Sequence, residues 1–299
     1  MTKLDDRGII SVAEIIVYSP ILVWSIALTV RHGFTRRAGW VFLVLLALIR
    51  IVGGITHIAS EVSPTNTTLQ IVYSILETSG VSPLLLATLG FLQTVCQNSL
   101  DDHPLIKRGL RLMGLLCTVA LILAIVGGVK EGEATTESTL TSGQSLRHIA
   151  VILFGILYGL IFFVHVFCWS NRDTILRYRR TLLAGISAAL PFLAIRVAYT
   201  VLSGFAPLMY EINAEGKMTP LTSSSPLKNF NAITGPWGIY LAMSVLPEFI
   251  SVAIYMGVGT RIPLHQDTDY ARGGNGDAWE NDEELARLKP VNYGGEYAR

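Results

Sequence analysis

The stretch WGIYLAMSVLPEFISVAIYMGV, Trp237 to Val258, is apolar enough for hydrocarbon yet carries Glu248 near its middle. At helical spacing Tyr240, Ser244, Glu248, Ser251 and Tyr255 recur every three or four residues and form one polar stripe. An ionisable side chain at that depth costs about 2.5 to 3.5 kcal/mol, so the stripe must turn inward and meet partners. The segment therefore reads as one helix of a membrane bundle.

The rest of the chain agrees. Of the 299 residues 51% are apolar and 15% charged, and the mean hydropathy is +0.49, which excludes an ordinary soluble domain. Six further runs are long enough to cross about 30 Å of hydrocarbon: Ile10–Val30, Val41–Ala59, Leu69–Val95, Gly109–Val129, His148–Trp169 and Leu182–Ser203. They are continuously apolar, which excludes a barrel of alternating strands. The expected fold is all-α, a polytopic seven-transmembrane helix bundle over residues 10–258, with a polar N-terminus (1–9) and a tail (259–299) whose composition predicts disorder and one short helix near 277–288. Asp5 and Asp6 precede the first run without a basic region or cleavage site, so that run reads as an uncleaved helix.

Basic residues in the connections set the expected orientation. Ten (Arg31, Arg36, Arg37, Lys107, Arg108, Arg111, Arg172, Arg177, Arg179 and Arg180) fall at one end and four (Lys130, Arg147, Lys217 and Lys228) at the other. This places the N-terminus outside or lumenal and the C-terminus in the cytosol, in the endoplasmic reticulum or the plasma membrane. The sequon Asn66-Thr67-Thr68 falls on the non-cytosolic side, making Asn66 a glycosylation candidate. The connection Gly204–Pro236 is either a lid over the outer mouth or a plain linker.

Net charge of +1 argues against a nucleic-acid partner. Cys96, Cys117 and Cys168 read as packing residues, and no zinc-spaced histidines, phosphate loop or nucleophile elbow is present, so no metal or other cofactor is expected. The seventh span has no lysine for a retinal Schiff base. The Asp101-Asp102-His103 stretch lacks a third acid and reads as a turn before Pro104. Receptor hallmarks such as Asp-Arg-Tyr in span three are missing.

Chemistry must then come from polar groups within the spans. Arg50, Gly53, Gly54 and His57 share a face of span two, and Phe192, Arg196, Tyr199 and Ser203 share one of span six. Glu77 precedes Pro83, which should bend span three and free carbonyl oxygens near the glutamate. At 1.5 Å per residue, Glu14 lies about 6 Å from the outer end, His57 about 3 Å, Arg196 about 10 Å, Glu77 about 12 Å, Arg50 about 14 Å and Glu248 about 16 Å. Arg50 and Arg196 are thus matched in height by Glu77 and Glu248, either as helix-locking ion pairs or around a ligand cavity. Glu14 and His57 fall close enough to the interface to be solvated. Trp24, Trp40, Trp169 and Trp237 read as interfacial anchors, and His165 as a packing or interfacial residue.

Arg7-Gly8 before Ala13-Glu14, the runs Leu48–Gly53 and Ser82–Gly90, and Leu246-Pro247-Glu248-Phe249 resemble a fungal seven-span membrane family catalogued as a domain of unknown function. The resemblance covers roughly residues 5–260 and implies a filamentous-fungal origin and a link to secondary-metabolite pathways, without assigning a catalytic residue. In layout the chain is more distantly similar to RTA-like lipid-stress proteins and Pth-type receptors. Three functions stay open, the first of them the preferred expectation and the other two its alternatives. One is an enzyme or auxiliary factor for a lipophilic terpenoid or polyketide intermediate, with Glu77 or Glu248 as the acid that starts cyclisation or isomerisation and Arg50, His57, Arg196, Tyr199 and Tyr240 as substrate-binding residues. The second is a receptor or sensor whose Arg172–Arg180 loop meets a cytosolic partner or membrane lipid. The third is a lipid translocator or a structural protein.

Overall fold

Seven helical spans alternate in direction through a computed structural model that describes residues 5–32, 39–63, 66–97, 104–207, 210–212, 218–220, 225–231 and 234–262. Each span is long and apolar enough to cross a membrane, and the chain is a multi-pass membrane protein. Span one is α1 (Asp6–His32) and span two is α2 (Trp40–Val62). Span three is broken into α3 (Thr67–Ser79) and α4 (Val81–Cys96). Spans four to six are α5 (Pro104–Gly132), α6 (Glu137–Ser170) and α7 (Arg177–Gly204). Span seven begins as α8 (Trp237–Tyr240), widens into a π turn (Leu241–Val245) and continues as α9 (Leu246–Arg261). The tail from residue 263 and the Asp101–His103 stretch lie outside the described residues.

Two local features shape the interior. Span three is interrupted at Gly80, whose own backbone stays helical at φ −58°, ψ −26°, and Pro83, three residues on, has no N–H for the Ser79 carbonyl across the break. In span seven Pro247 has no N–H for the carbonyl four residues before it, and the helix widens just upstream: the Leu246 N–H reaches back five residues to the Leu241 carbonyl. The wide turn offsets the drift of a fourfold spacing on a 3.6-residue helix, so Tyr240, Ser244 and Glu248 all stay buried on the inward side.

Helix approach depends on small residues where expected. A Cβ on Gly54 would meet Ile15 Cγ1 at 2.8 Å and the Ser11 carbonyl at 3.1 Å, so α1 and α2 cross backbone to side chain. Gly39, at φ 73°, opens α2 in the left-handed region that a side chain disfavours. Trp40 corrects the expectation of an interfacial anchor: it is 1% exposed, 4.6 Å from the Phe91 ring and seated on Gly259. Trp24, Trp169 and Trp237 are exposed on the bundle surface.

At the end of the bundle where α9 finishes, two of the loop-five arginines are committed to the fold. Arg179 is buried and donates to the Gln97 carbonyl, tying α7 to the end of α4, and Arg180 donates to the Ile175 and Asp173 carbonyls. At the other end, residues 204–236 contain a short antiparallel ribbon, β1 (Tyr210–Ile212) with β2 (Met218–Pro220), and a 3-10 turn (Pro226–Phe230).

Candidate functional site

Arg50, Glu77, Arg196 and Glu248 meet in one cluster joining α2, α3, α7 and α9, and none is more than 4% exposed. Arg50 forms a fork on Glu248, with Nε to Oε1 and Nη2 to Oε2, while its Nη1 donates to Glu77 Oε2 at 2.6 Å. Arg196 Nε donates to Glu248 Oε2 at 3.0 Å, and its Nη2 lies 3.5 Å from Glu77 Oε1. Each arginine therefore bridges both carboxylates. Such a lattice keeps four charges tolerable in an interior that would expel any one of them.

Neutral donors complete it. Tyr18 of α1 donates to Glu248 Oε1 at 3.1 Å, Tyr240 to Glu77 Oε2 at 2.9 Å and Ser244 to Glu77 Oε1 at 2.7 Å. Arg196 Nη1 donates to Thr200 at 2.9 Å, and its Nη2 donates at 3.0 Å to the main-chain carbonyl of Glu77, three residues before the break in span three. The Glu77 carbonyl is thus available to a side-chain donor, with the helix interrupted at Gly80, three residues before Pro83. Glu77 and Glu248 use their acceptor positions on guanidinium and hydroxyl donors, the bonding pattern of the ionised carboxylate.

Glu14 belongs to the cluster, which corrects its placement as an interfacial group. α1 starts at Asp6, four residues earlier than expected, which adds about 6 Å of depth at 1.5 Å per residue. Glu14 is 5% exposed, with Oε1 3.7 Å from Arg50 Nη1 and 3.5 Å from the Tyr240 hydroxyl. His57 is corrected in the same direction, since α2 continues to Val62. It is buried, shares a 2.9 Å hydrogen bond with Ser11 and lies against the Tyr73 ring at 4.2 Å, beside the ion lattice rather than in it.

Tyr199 and Tyr240 stand between the cluster and the end bearing the N-terminus. Arg196 lies 5.9 Å from the Tyr199 ring, and Arg7, at the start of α1, lies 5.3 Å from the Tyr240 ring. Arg7 Nη2 also donates to the Gly235 carbonyl at 2.7 Å. Phe230 packs 6.5 Å from Tyr199, and Asn231 donates to the Pro207 carbonyl at 3.2 Å. The described parts of loop six thus sit against α1 and α7.

Arg7, Tyr18 and Glu14 show what sequence reasoning missed or undervalued, all on α1. Tyr18 is one turn from Glu14, a spacing visible in the sequence, whereas Arg7 precedes the expected span. Asn66 is exposed between α2 and α3. Cys96 and Cys168 are buried in contact, Sγ to Sγ 3.4 Å, and Cys117 packs on Ser82, so all three pack as expected. His165, also buried, shares a 3.1 Å hydrogen bond with Ser187. A surface groove of about 720 Å³ at the α5–α6 turn, lined by Lys130, Glu137, Ser138, Thr141, Ser142 and Ser145, contains no member of the cluster.

A family model described as a domain of unknown function, DUF7702, matches residues 4–219. The match runs from the start of α1 to β2 and stops before the seventh span, which brings Tyr240, Ser244 and Glu248 to the cluster. No curated protein and no solved structure matches the chain.

Proposed function

The chain belongs to the DUF7702 family, and we propose that it is a seven-helix receptor or sensor for a lipophilic small molecule, with the five-helix ion lattice as its responsive element. The observation that carries this is the double bridging of Glu77 and Glu248 by Arg50 and Arg196 beneath loop six. A ligand entering from that end has to part the closed aromatic layer of Tyr199, Tyr240 and Phe230, which suits an apolar body, and any polar group it carries competes for the arginines. Because each arginine touches two helices' carboxylates, displacing one bond reaches α2, α3, α7 and α9 together.

A second reading, the enzyme, is favoured by one feature. Acid-initiated cyclisation or isomerisation needs a carboxyl that still holds a proton, and Glu14, with its long contacts, suits that role better than Glu77 or Glu248. The ligand class we propose is a terpenoid- or polyketide-type metabolite of a fungal host. The basic residues concentrated at the end of α1, the start of α5 and around the start of α7 support a cytosolic C-terminus in the endoplasmic reticulum or plasma membrane, with a membrane-lipid or protein partner at exposed Arg172. The exposed Asn66 supports glycosylation on the opposite side.

Native mass spectrometry of the protein released from lipid nanodiscs tests binding. A lipophilic adduct that is retained by the unaltered protein and lost in Tyr199→Ala is expected, and a protein that never carries an adduct overturns the ligand reading. Comparison of metabolite extracts from a deletion strain and its parent then separates the two classes. A compound that vanishes or accumulates favours the enzyme, and an unchanged profile with an altered response favours the receptor.

A further inference from the structure

The buried lattice contains three carboxylates, Glu14, Glu77 and Glu248, and two guanidinium groups, Arg50 and Arg196. Fully ionised, these five side chains leave one negative charge unbalanced, although none is more than 5% exposed. A low-dielectric interior does not retain such a charge when it can neutralise it.

Hydrogen-bond geometry distinguishes the three acids. Glu248 accepts from Arg50 through both oxygens and also from Arg196 and Tyr18. Glu77 accepts from Arg50, Arg196, Tyr240 and Ser244. Glu14 Oε1 lies 3.7 Å from Arg50 Nη1, beyond hydrogen-bond distance, and faces the Tyr240 hydroxyl at 3.5 Å. Tyr240 has a single hydroxyl proton, and the shorter contact, 2.9 Å, gives it to Glu77. Tyr240 also shares a hydrogen bond with Tyr73, whose hydroxyl brings its own proton, so a Tyr240 lone pair turns toward Glu14 Oε1 and two acceptors face each other unless Glu14 supplies a hydrogen.

The geometry points to Glu14 as the site where the lattice binds one proton, with the Glu14 carboxyl donating to Tyr240 and Tyr240 donating to Glu77. The charged and titratable groups around it come from several helices: Tyr18 on α1, Arg50 on α2, Tyr73 and Glu77 on α3, Arg196 on α7, Tyr240 on α8 and Glu248 on α9. His57 is engaged by Ser11 and lies 3.8 Å from Glu61. Arg7 is seven residues from Glu14, about 10 Å along α1, and shares its end of the bundle with Asp5, Asp6 and Glu61. Loss of the proton sets Glu14 against the Tyr240 lone pair and in competition with Glu77 and Glu248 for Arg50, so protonation controls how α1 seats on the lattice.

This inference goes beyond ligand binding and does not depend on it. Infrared spectroscopy of the full-length protein in lipid vesicles at neutral pH reads the carbonyl stretch of a protonated carboxylic acid apart from ionised carboxylates. One such band is expected, lost in Glu14→Gln and kept in Glu131→Gln, which removes a buried acid of α5 outside the lattice. Tyr240→Phe should leave the band in place but shift it to higher frequency, because the carboxyl loses its acceptor. A native protein without the band, or a band that survives Glu14→Gln, overturns the proposal. The adduct experiment reads a different quantity, so failure of one leaves the other standing.

Discussion

Spans two, three and seven are held together twice, by different physics, toward the two ends of the bundle. Toward the end bearing the N-terminus, Arg50, Arg196, Glu77 and Glu248 join them through charge-assisted bonds. Toward the other end, Trp40 of α2 packs on Phe91 of α4 and on Gly259 of α9, and Tyr255 of α9 lies 4.9 Å from Phe91 while sharing a 2.8 Å hydrogen bond with Thr88. The aromatic tier depends on shape, and a lost contact there leaves a void or a clash. The ionic tier depends on stoichiometry, because removing one member leaves its partners charged, buried and short of a counter-ion. The first arrangement suits a fixed seam and the second suits a response.

The largest effect separating the tiers is expected from Arg50→Ala, which strands parts of both Glu77 and Glu248 and should cost about 3–5 kcal/mol, measured as equilibrium unfolding in mixed micelles. A loss below about 1 kcal/mol would mean that the ionic tier contributes little. Tyr240→Phe removes one hydrogen bond to a charged acceptor and should cost about 1.5–3 kcal/mol. Gly259→Ala inserts a Cβ against the Trp40 ring and should cost about 1–3 kcal/mol by overpacking, in the same assay and with the infrared band of Glu14 unchanged. If that band disappears, the tiers are coupled rather than separate. Arg172→Ala, on an exposed residue 4.0 Å from Asp173, should stay within about 0.5 kcal/mol of the unaltered protein.

Legibility followed depth. Glu248 and Arg50 sit well inside long apolar runs, where an ionisable residue has to turn inward, so their convergence was predictable from spacing and rise per residue. Glu14 and His57 lie near helix ends, where an error of a few residues in a boundary moves a group between interface and interior. Trp40 begins a helix, and a tryptophan at a helix end looks the same in sequence whether it meets headgroups or a glycine on another span. Loop six offered only its composition. Its seat on Arg7 depends on the carbonyl of Gly235, a main-chain atom that no side-chain pattern reports.

By itself the sequence determined the class and the count, a seven-helix membrane bundle, because hydrocarbon excludes charge from long runs and demands helices of a certain length. It also determined that the charged faces of spans two, three, six and seven turn inward, since lipid offers them no partner. Only the tertiary structure decided which oxygen each guanidinium takes, that Glu14 joins as a third acid, and that the wide turn before Pro247 keeps Tyr240, Ser244 and Glu248 on one side. Those outcomes depend on distances of a few tenths of an ångström between helices far apart in the chain, and helical periodicity carries no information about such distances.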